Sequence, residues 1–211
     1  MSLMNQIREA IAADHNAIER TPYSLALISG QIDKHDYLFS MTQMHAIHTA
    51  LEAACDHNAK LSPYFTAPMR RTTTIERDLT CFEAQISDFP VLHETEAINA
   101  MINRWAQYEP LSMIGCIYIL EGSRMGSLML AKPIAAALGI PPIEGQGIDY
   151  HVEGARETPT RLKAWKESIS AAGFSPDVEA AIQACACEFM SMLCRMYEAL
   201  PTKKSAGRQA A

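Results

Sequence analysis

Apolar residues recur three and four apart over most of this 211-residue chain, the spacing of one face of an α-helix. From residue 3 to 20 they fall at Ile7, Ala10, Ile11 and Ile18, with Asp14 and His15 beside the stripe. "TPYS" interrupts the pattern at Pro22. It resumes from about Asp33 to His57 through Tyr37, Leu38, Met41, Met44, His48, Leu51 and Ala54. "LSPYFTAP" reads as a loop, and Thr72–Ile86 and Thr95–Tyr108 as two further helices. Pro110 suits a first helical turn and opens a long apolar helix to about Leu138, which ends ahead of "GIPP". Residues 141–158, with three glycines and a proline pair, form an irregular link. Thr160–Ala172 and Pro176–Leu200 are the last two helices, parted by Gly173. The pattern predicts an all-α bundle forming one domain over 1–200, with 201–211 as a disordered tail.

Composition agrees: aromatics are 7% of the chain, β-branched runs are scarce, and 48% of residues are hydrophobic. A net charge of −6 and a pI near 5.6 provide no electrostatic footprint for nucleic acid or an anionic membrane. The first residues form no apolar signal region, and no run approaches the roughly 20 apolar residues of a membrane span. Six cysteines show no CxxC pair and no zinc-type spacing, so buried reduced thiols are expected. A cytoplasmic protein follows from these together.

Chemistry inside a helical core is narrowed by spacing. A carboxylate-bridged di-iron bundle needs Glu-x-x-His on two helices, and none of the seven histidines has a glutamate three residues before it. A nucleophile elbow would carry GxSxG, which does not occur. The stretch "YILEGSRMGS" (118–127) is different, because it places Gly122 and Gly126 one turn apart on a single helix face. Each gives up roughly 1 kcal/mol of helix propensity relative to alanine. Two uses compete: close helix–helix packing, the more frequent one, and approach of a flat apolar ligand to the backbone. His15, with Glu19 one turn later, could be an axial ligand to haem iron or an ordinary helical histidine. His45 and His48, three apart on a fuller apolar face, are weaker ligand candidates.

"IREAIAADHNAIE" (7–19) together with "YILEGSRMGS" resembles the haem oxygenases, particularly the shorter bacterial type. "GQIDKHDYLFSMTQMHAIHTALE" (30–52) is similar to that family's second helix and "RLKAWKESI" (161–169) to a late one, so the resemblance spans roughly residues 3–200. It implies a haem sandwiched between a proximal N-terminal helix and a kinked, glycine-containing distal helix. His15 would ligate the iron, with Glu19 its neighbour, and Gly122 and Gly126 would form the kink. Ser123 stands where the animal enzymes carry an aspartate and would help hold distal water. Arg8 and Tyr118 match propionate-holding positions, and Arg161 and Lys166 are further candidates. Departures are Ser123 itself, Ser127 where another glycine is common, and Arg124, unusual beside an oxygen site.

The chemistry implied is oxygen-dependent degradation of haem, both cofactor and substrate, to biliverdin, carbon monoxide and ferrous iron. The chain has no GxGxxG motif, so electrons would come from a separate ferredoxin or flavin reductase. A non-enzymatic haem carrier or sensor of the same fold is the main rival. A thiamin-degrading bundle is a second, and would need a cysteine nucleophile in a polar pocket.

Overall fold

In a computed structural model that describes residues 2–202, helices and short 3₁₀ turns follow one another with no strand among the described residues. The expected first helix is two, α1 (Leu3–Ala10) and α2 (Ala12–Ile18). The interruption is one residue, Ile11, where ψ opens to −2° while its N–H still bonds to the Ile7 carbonyl at 3.0 Å. Ile11 is buried there, whereas α2 buries none of its side chains. Pro22, expected as a break, starts a helix instead: α3 is Pro22–Ile28, with Thr21 as N-cap accepting from the Ser24 N–H. A proline at the first position loses no hydrogen bond and presets φ.

Helix α4 (Lys34–Asp56) begins at Asp33, whose carboxylate accepts from the His35 N–H at 2.7 Å. Helix α5 (Thr72–Cys81) stops five residues before the expected Ile86. Glu83 takes the left-handed conformation (φ 57°), and the N–H groups of Ala84 and Glu83 return to the carbonyls of Leu79 and Thr80. This is a Schellman closure with glutamate in glycine's usual place, so no residue type announced it. Helix α6 (His93–Tyr108) starts two residues before Thr95, held by Gln43 of α4, whose Oε1 accepts from the Leu92 N–H and the Thr95 hydroxyl, each at 2.9 Å.

A 3₁₀ turn at Pro110–Ser112 leads into α7 (Met113–Leu138), ended by Gly139 at φ 70°. Helix α7 stays α-helical through Gly122 and Gly126. The link 141–158 is less irregular than expected, since it holds α8 (Asp149–Val152), whose first N–H groups are capped by the distant Asp78. Helices α9 (Thr158–Ala171) and α10 (Pro176–Ala199) complete the chain. The tail expectation for 201–211 lies outside the described residues beyond Thr202, which is itself buried.

Helix α10 runs through the middle of the bundle, against α7, α6, α2 and α1. Its crossing with α7 is made by Gly115: a Cβ there would lie 2.5 Å from the Ile182 carbonyl oxygen and 2.9 Å from the Ala186 nitrogen. One turn of each helix is thus pressed backbone to backbone, with fully buried Cys116 and Cys185 alongside, Sγ to Sγ 3.6 Å. All six cysteines are free thiols and four of them are buried as expected, whereas Cys187 is half-buried and Cys81 is exposed.

Candidate functional site

Middle α7 is inside-out for a helix of such apolar composition. Glu121, Arg124 and Ser127, three apart, are buried, while Ser123, Met125, Gly126, Leu128 and Met129 are exposed. Met129 is 81% exposed. An added Cβ at Gly122 or Gly126 would meet nothing within 4 Å. These two glycines therefore do not serve helix–helix packing; Gly115 does, and no spacing or motif marks it. What Gly122 and Gly126 provide is a strip of bare backbone facing open space between exposed methionines and a leucine.

The inward column is tied down by charge. Glu121 accepts from Arg124 Nη1 at 3.3 Å and from Arg161 Nη2 at 3.2 Å, with its side chain only 5% exposed. Arg124 also donates to the carbonyls of Pro68 (3.1 Å) and Glu153 (2.8 Å). Glu153 in turn meets Arg71 and Arg77 at 3.2 and 3.0 Å. Burial pushes the Glu121 carboxyl above its ordinary value, and the charge of Arg161 pulls it back. Arg124 is thus a core residue directed away from the open strip. Arg161, named from the sequence as a propionate partner, is spent on Glu121. Ser127 also turns inward, its Oγ 2.6 Å from His151 Nδ1. Ser123 remains on the exposed side, its hydroxyl donating to the Leu120 carbonyl at 2.7 Å.

Arg8, Tyr118 and Lys166 come from α1, α7 and α9, and the structure brings them together. Lys166 Nζ lies 5.1 Å from the centre of the Tyr118 ring. Burial lowers the Lys166 ammonium below the ordinary lysine value, and the nearby Arg8 charge lowers it further. The Tyr118 hydroxyl is raised by burial and drawn partly back by Arg8. Among the described residues neither cation has a carboxylate within ion-pair distance. Two cations without a carboxylate partner thus stand beside a phenol. Lys166 also lines a cavity of about 710 Å³ between α1, α7 and α9, with Met4, Asn5, Met125, Leu162 and Glu167 on its walls. His15, Gly122 and Gly126 are not among its walls.

From that cluster two arms lead away. Along α1 and α2, seven residues on from Arg8, stands His15; along α7, four and eight residues on from Tyr118, stand Gly122 and Gly126. At 1.5 Å per residue each arm is about 10 Å long. The His15 side chain is 54% exposed, and its Nδ1 is 3.5 Å from Glu19 Oε1. A carboxylate beside one ring nitrogen leaves the other nitrogen open to a metal. The other two histidines considered are engaged elsewhere: His45 with Glu76 at 3.0 Å, and buried His48 with the Tyr150 hydroxyl at 3.2 Å. Burial, with the Arg71 and His45 charges, lowers His48 to about 3. Among the described residues no three metal-binding side chains cluster.

The haem oxygenase family profile matches residues 1–199. The chain belongs to the haem oxygenase family. It is 24% identical over 151 residues to the haem oxygenase of Guillardia theta, covering 68% of this chain and 63% of that protein. It is 23% identical over 169 residues to haem oxygenase 1 of Gallus gallus, covering 76% and 56% respectively. The chain thus spans less than two thirds of the length of these relatives. Its fold matches the haem oxygenase of Leptospira interrogans (TM-score 0.85, 18% identity, 94% of this chain and 99% of that one). It also matches haem oxygenase-2 of Synechocystis, solved with haem and NO (TM-score 0.86, 18% identity, 100% and 88%). The all-α bundle expected from the sequence is the fold of this family. Among the described residues no helix is long and apolar enough to cross a membrane.

Proposed function

We propose that this chain is a haem-degrading oxygenase that converts haem, oxygen and external electrons to biliverdin, carbon monoxide and ferrous iron. The observation that carries the reading is the bare strip at Gly122 and Gly126, which opens onto space and not onto a neighbouring helix. Family membership and the haem-bound structural neighbour support it. The residues present fit haem: an exposed imidazole steadied by Glu19, a side-chain-free helix face, and two unpaired cations with a phenol for two carboxylates.

In this reading His15 would hold the haem iron. Arg8, Lys166 and Tyr118 hold the propionates and so fix the in-plane rotation of the macrocycle. Arg161 is left out, because its guanidinium is held against the Glu121 carboxylate. Haem supplies the iron and is itself the molecule oxidised. Gly122 and Gly126 would leave space against the backbone for haem and oxygen, and Ser123 stands beside them with its hydroxyl oxygen free to accept from water. Met125, Leu128 and Met129 exclude bulk water from the ring. Electrons come from a separate ferredoxin or flavin reductase, and the reaction is cytoplasmic.

The test is to add hemin, then a ferredoxin and its reductase under air, and follow the Soret band. Its loss with the rise of a biliverdin spectrum is expected. A Soret band that persists as oxy-haem would make the protein a carrier, and failure to take up hemin would refute both readings. His15→Ala should lose the histidine-ligated spectrum and most turnover, and added imidazole should restore part of each. An unchanged spectrum would move the ligand elsewhere.

A further inference from the structure

On the core side of α7, behind the open strip, lies a small closed cavity of about 30 Å³. Its walls include Tyr23, Tyr37, Ser40, Tyr150, His151 and Met196, from α3, α4, α8 and α10. Most of the polar atoms around it are matched. The Tyr23 and Ser40 hydroxyls bond to one another, Ser40 donates to the Tyr37 carbonyl at 2.7 Å, and Tyr150 meets His48. Two atoms are left over: Tyr37 Oη and His151 Nε2 are buried with no protein partner among the described residues. Their rings lie 6.0 Å apart, centre to centre. Buried polar groups without a partner are rare, and two of them on one cavity point to a shared ligand. About 30 Å³ holds one water and nothing much larger.

We propose that this cavity is a binding site for one structural water that accepts from the Tyr37 hydroxyl and donates to His151 Nε2. A second lone pair on Ser40 Oγ is available for the water's remaining proton. The assignment follows from donor strength, because a phenol is a better donor than acceptor and the water's own proton then meets the ring nitrogen. His151 is neutral: burial lowers it to about 4. A neutral imidazole accepting at Nε2 must carry its proton on Nδ1, which therefore donates to Ser127 Oγ at 2.6 Å. The serine's own O–H is released to turn along α7 toward the Ser123 carbonyl, across the turn that contains Gly126. His151 is in this sense a positioning residue: the buried water sets its tautomer, and the tautomer sets the direction of the hydroxyl next to Gly126.

Long-range proton–nitrogen NMR of the imidazole rings in the full chain without haem tests this directly, with His151→Gln identifying the His151 signals. The expected wild-type pattern is a single neutral tautomer protonated on Nδ1. Tyr37→Phe removes one oxygen and little volume, so it should still fold. It should lower the Nδ1-protonated fraction at least several-fold and melt below wild type, because the water loses its donor. A wild-type ring protonated on Nε2 would overturn the proposal. So would a Tyr37→Phe protein with the wild-type tautomer, or one that melts higher, since removing a hydroxyl from a dry cavity relieves an unmet donor.

Discussion

Alanine at three glycines of α7 should give opposite answers, and the contrast can be worked from the backbone. At Gly122 and Gly126 the new methyl meets nothing within 4 Å, and neither residue has the positive φ that would strain a side chain. The change is then helix propensity alone, up to about 1 kcal/mol in favour of alanine. For a chain of this size that raises the melting temperature by roughly 2–4 °C. At Gly115 the same methyl would lie 2.5 Å from the Ile182 carbonyl oxygen, an atom of another helix's backbone that cannot rotate away. Helices α7 and α10 must part, at a cost of about 1–3 kcal/mol. Melting curves of the three variants without haem read the sign directly. Haem degradation should run the other way at the strip, falling in Gly126→Ala more than in Gly122→Ala, although both proteins are at least as stable as wild type. If either strip variant melts below wild type as Gly115→Ala does, the strip is a packing surface after all. A stable Gly126→Ala protein that degrades haem at the normal rate would falsify the close-approach reading.

Three further outcomes follow from other parts of the molecule. Arg8→Ala or Lys166→Ala should weaken hemin binding by no more than about 0–1 kcal/mol each, as partly exposed charges do, and the double variant should alter the mixture of biliverdin isomers seen by chromatography; an unaltered mixture would remove the propionate role. Glu121→Ala leaves Arg124 and Arg161 facing one another without their carboxylate and should cost about 3–5 kcal/mol in urea unfolding, so a loss below 1 kcal/mol would show the ion cluster to be dispensable. Acid should destabilise the fold: His48 and His151 stay neutral down to about 3 and 4 when folded but take up protons near 6.5 when unfolded, so stability falls below about pH 6.5. Asp78, raised to about 6 by burial, works in the opposite sense over part of that range. The net loss between pH 7 and 5 is roughly 2–3 kcal/mol, and a urea midpoint that holds or rises on acidification would contradict it.

Helix periodicity made the fold legible because α4, α6, α7, α9 and α10 each bury a long apolar face, and their ends carry local signals such as Asp33, Ser175 and Gly139. What escaped was set by partners far along the chain. Gln43 starts α6 and Asp78 starts α8, and neither is close in sequence to the helix it caps. Glu83 ends α5 in a conformation that its residue type disfavours. At the candidate site, the Gly-x-x-x-Gly spacing drew attention to the right turn of α7 but was silent on which way it faced. Arg124 and Ser127 looked like intrusions into an oxygen site because a sequence does not show that they point to the opposite side. Arg161 and Lys166, five residues apart on α9, were indistinguishable as basic residues, and only the position of Glu121 separates them. His151 carried no motif at all.

The inward charges of α7 also bear on how such a protein can diverge. Glu121 is a single carboxylate shared by Arg124 and Arg161, so its loss strands two cations while the loss of either arginine leaves a matched pair, and exchange of all three for apolar residues of similar bulk leaves nothing stranded. Relatives related to this chain at the level of a quarter of their residues should therefore lose Glu121 only together with the charges of both arginines. In an alignment of such sequences, an apolar residue at position 121 should be accompanied by uncharged residues at 124 and 161, while the exposed positions 125, 128 and 129 drift independently within apolar residue types.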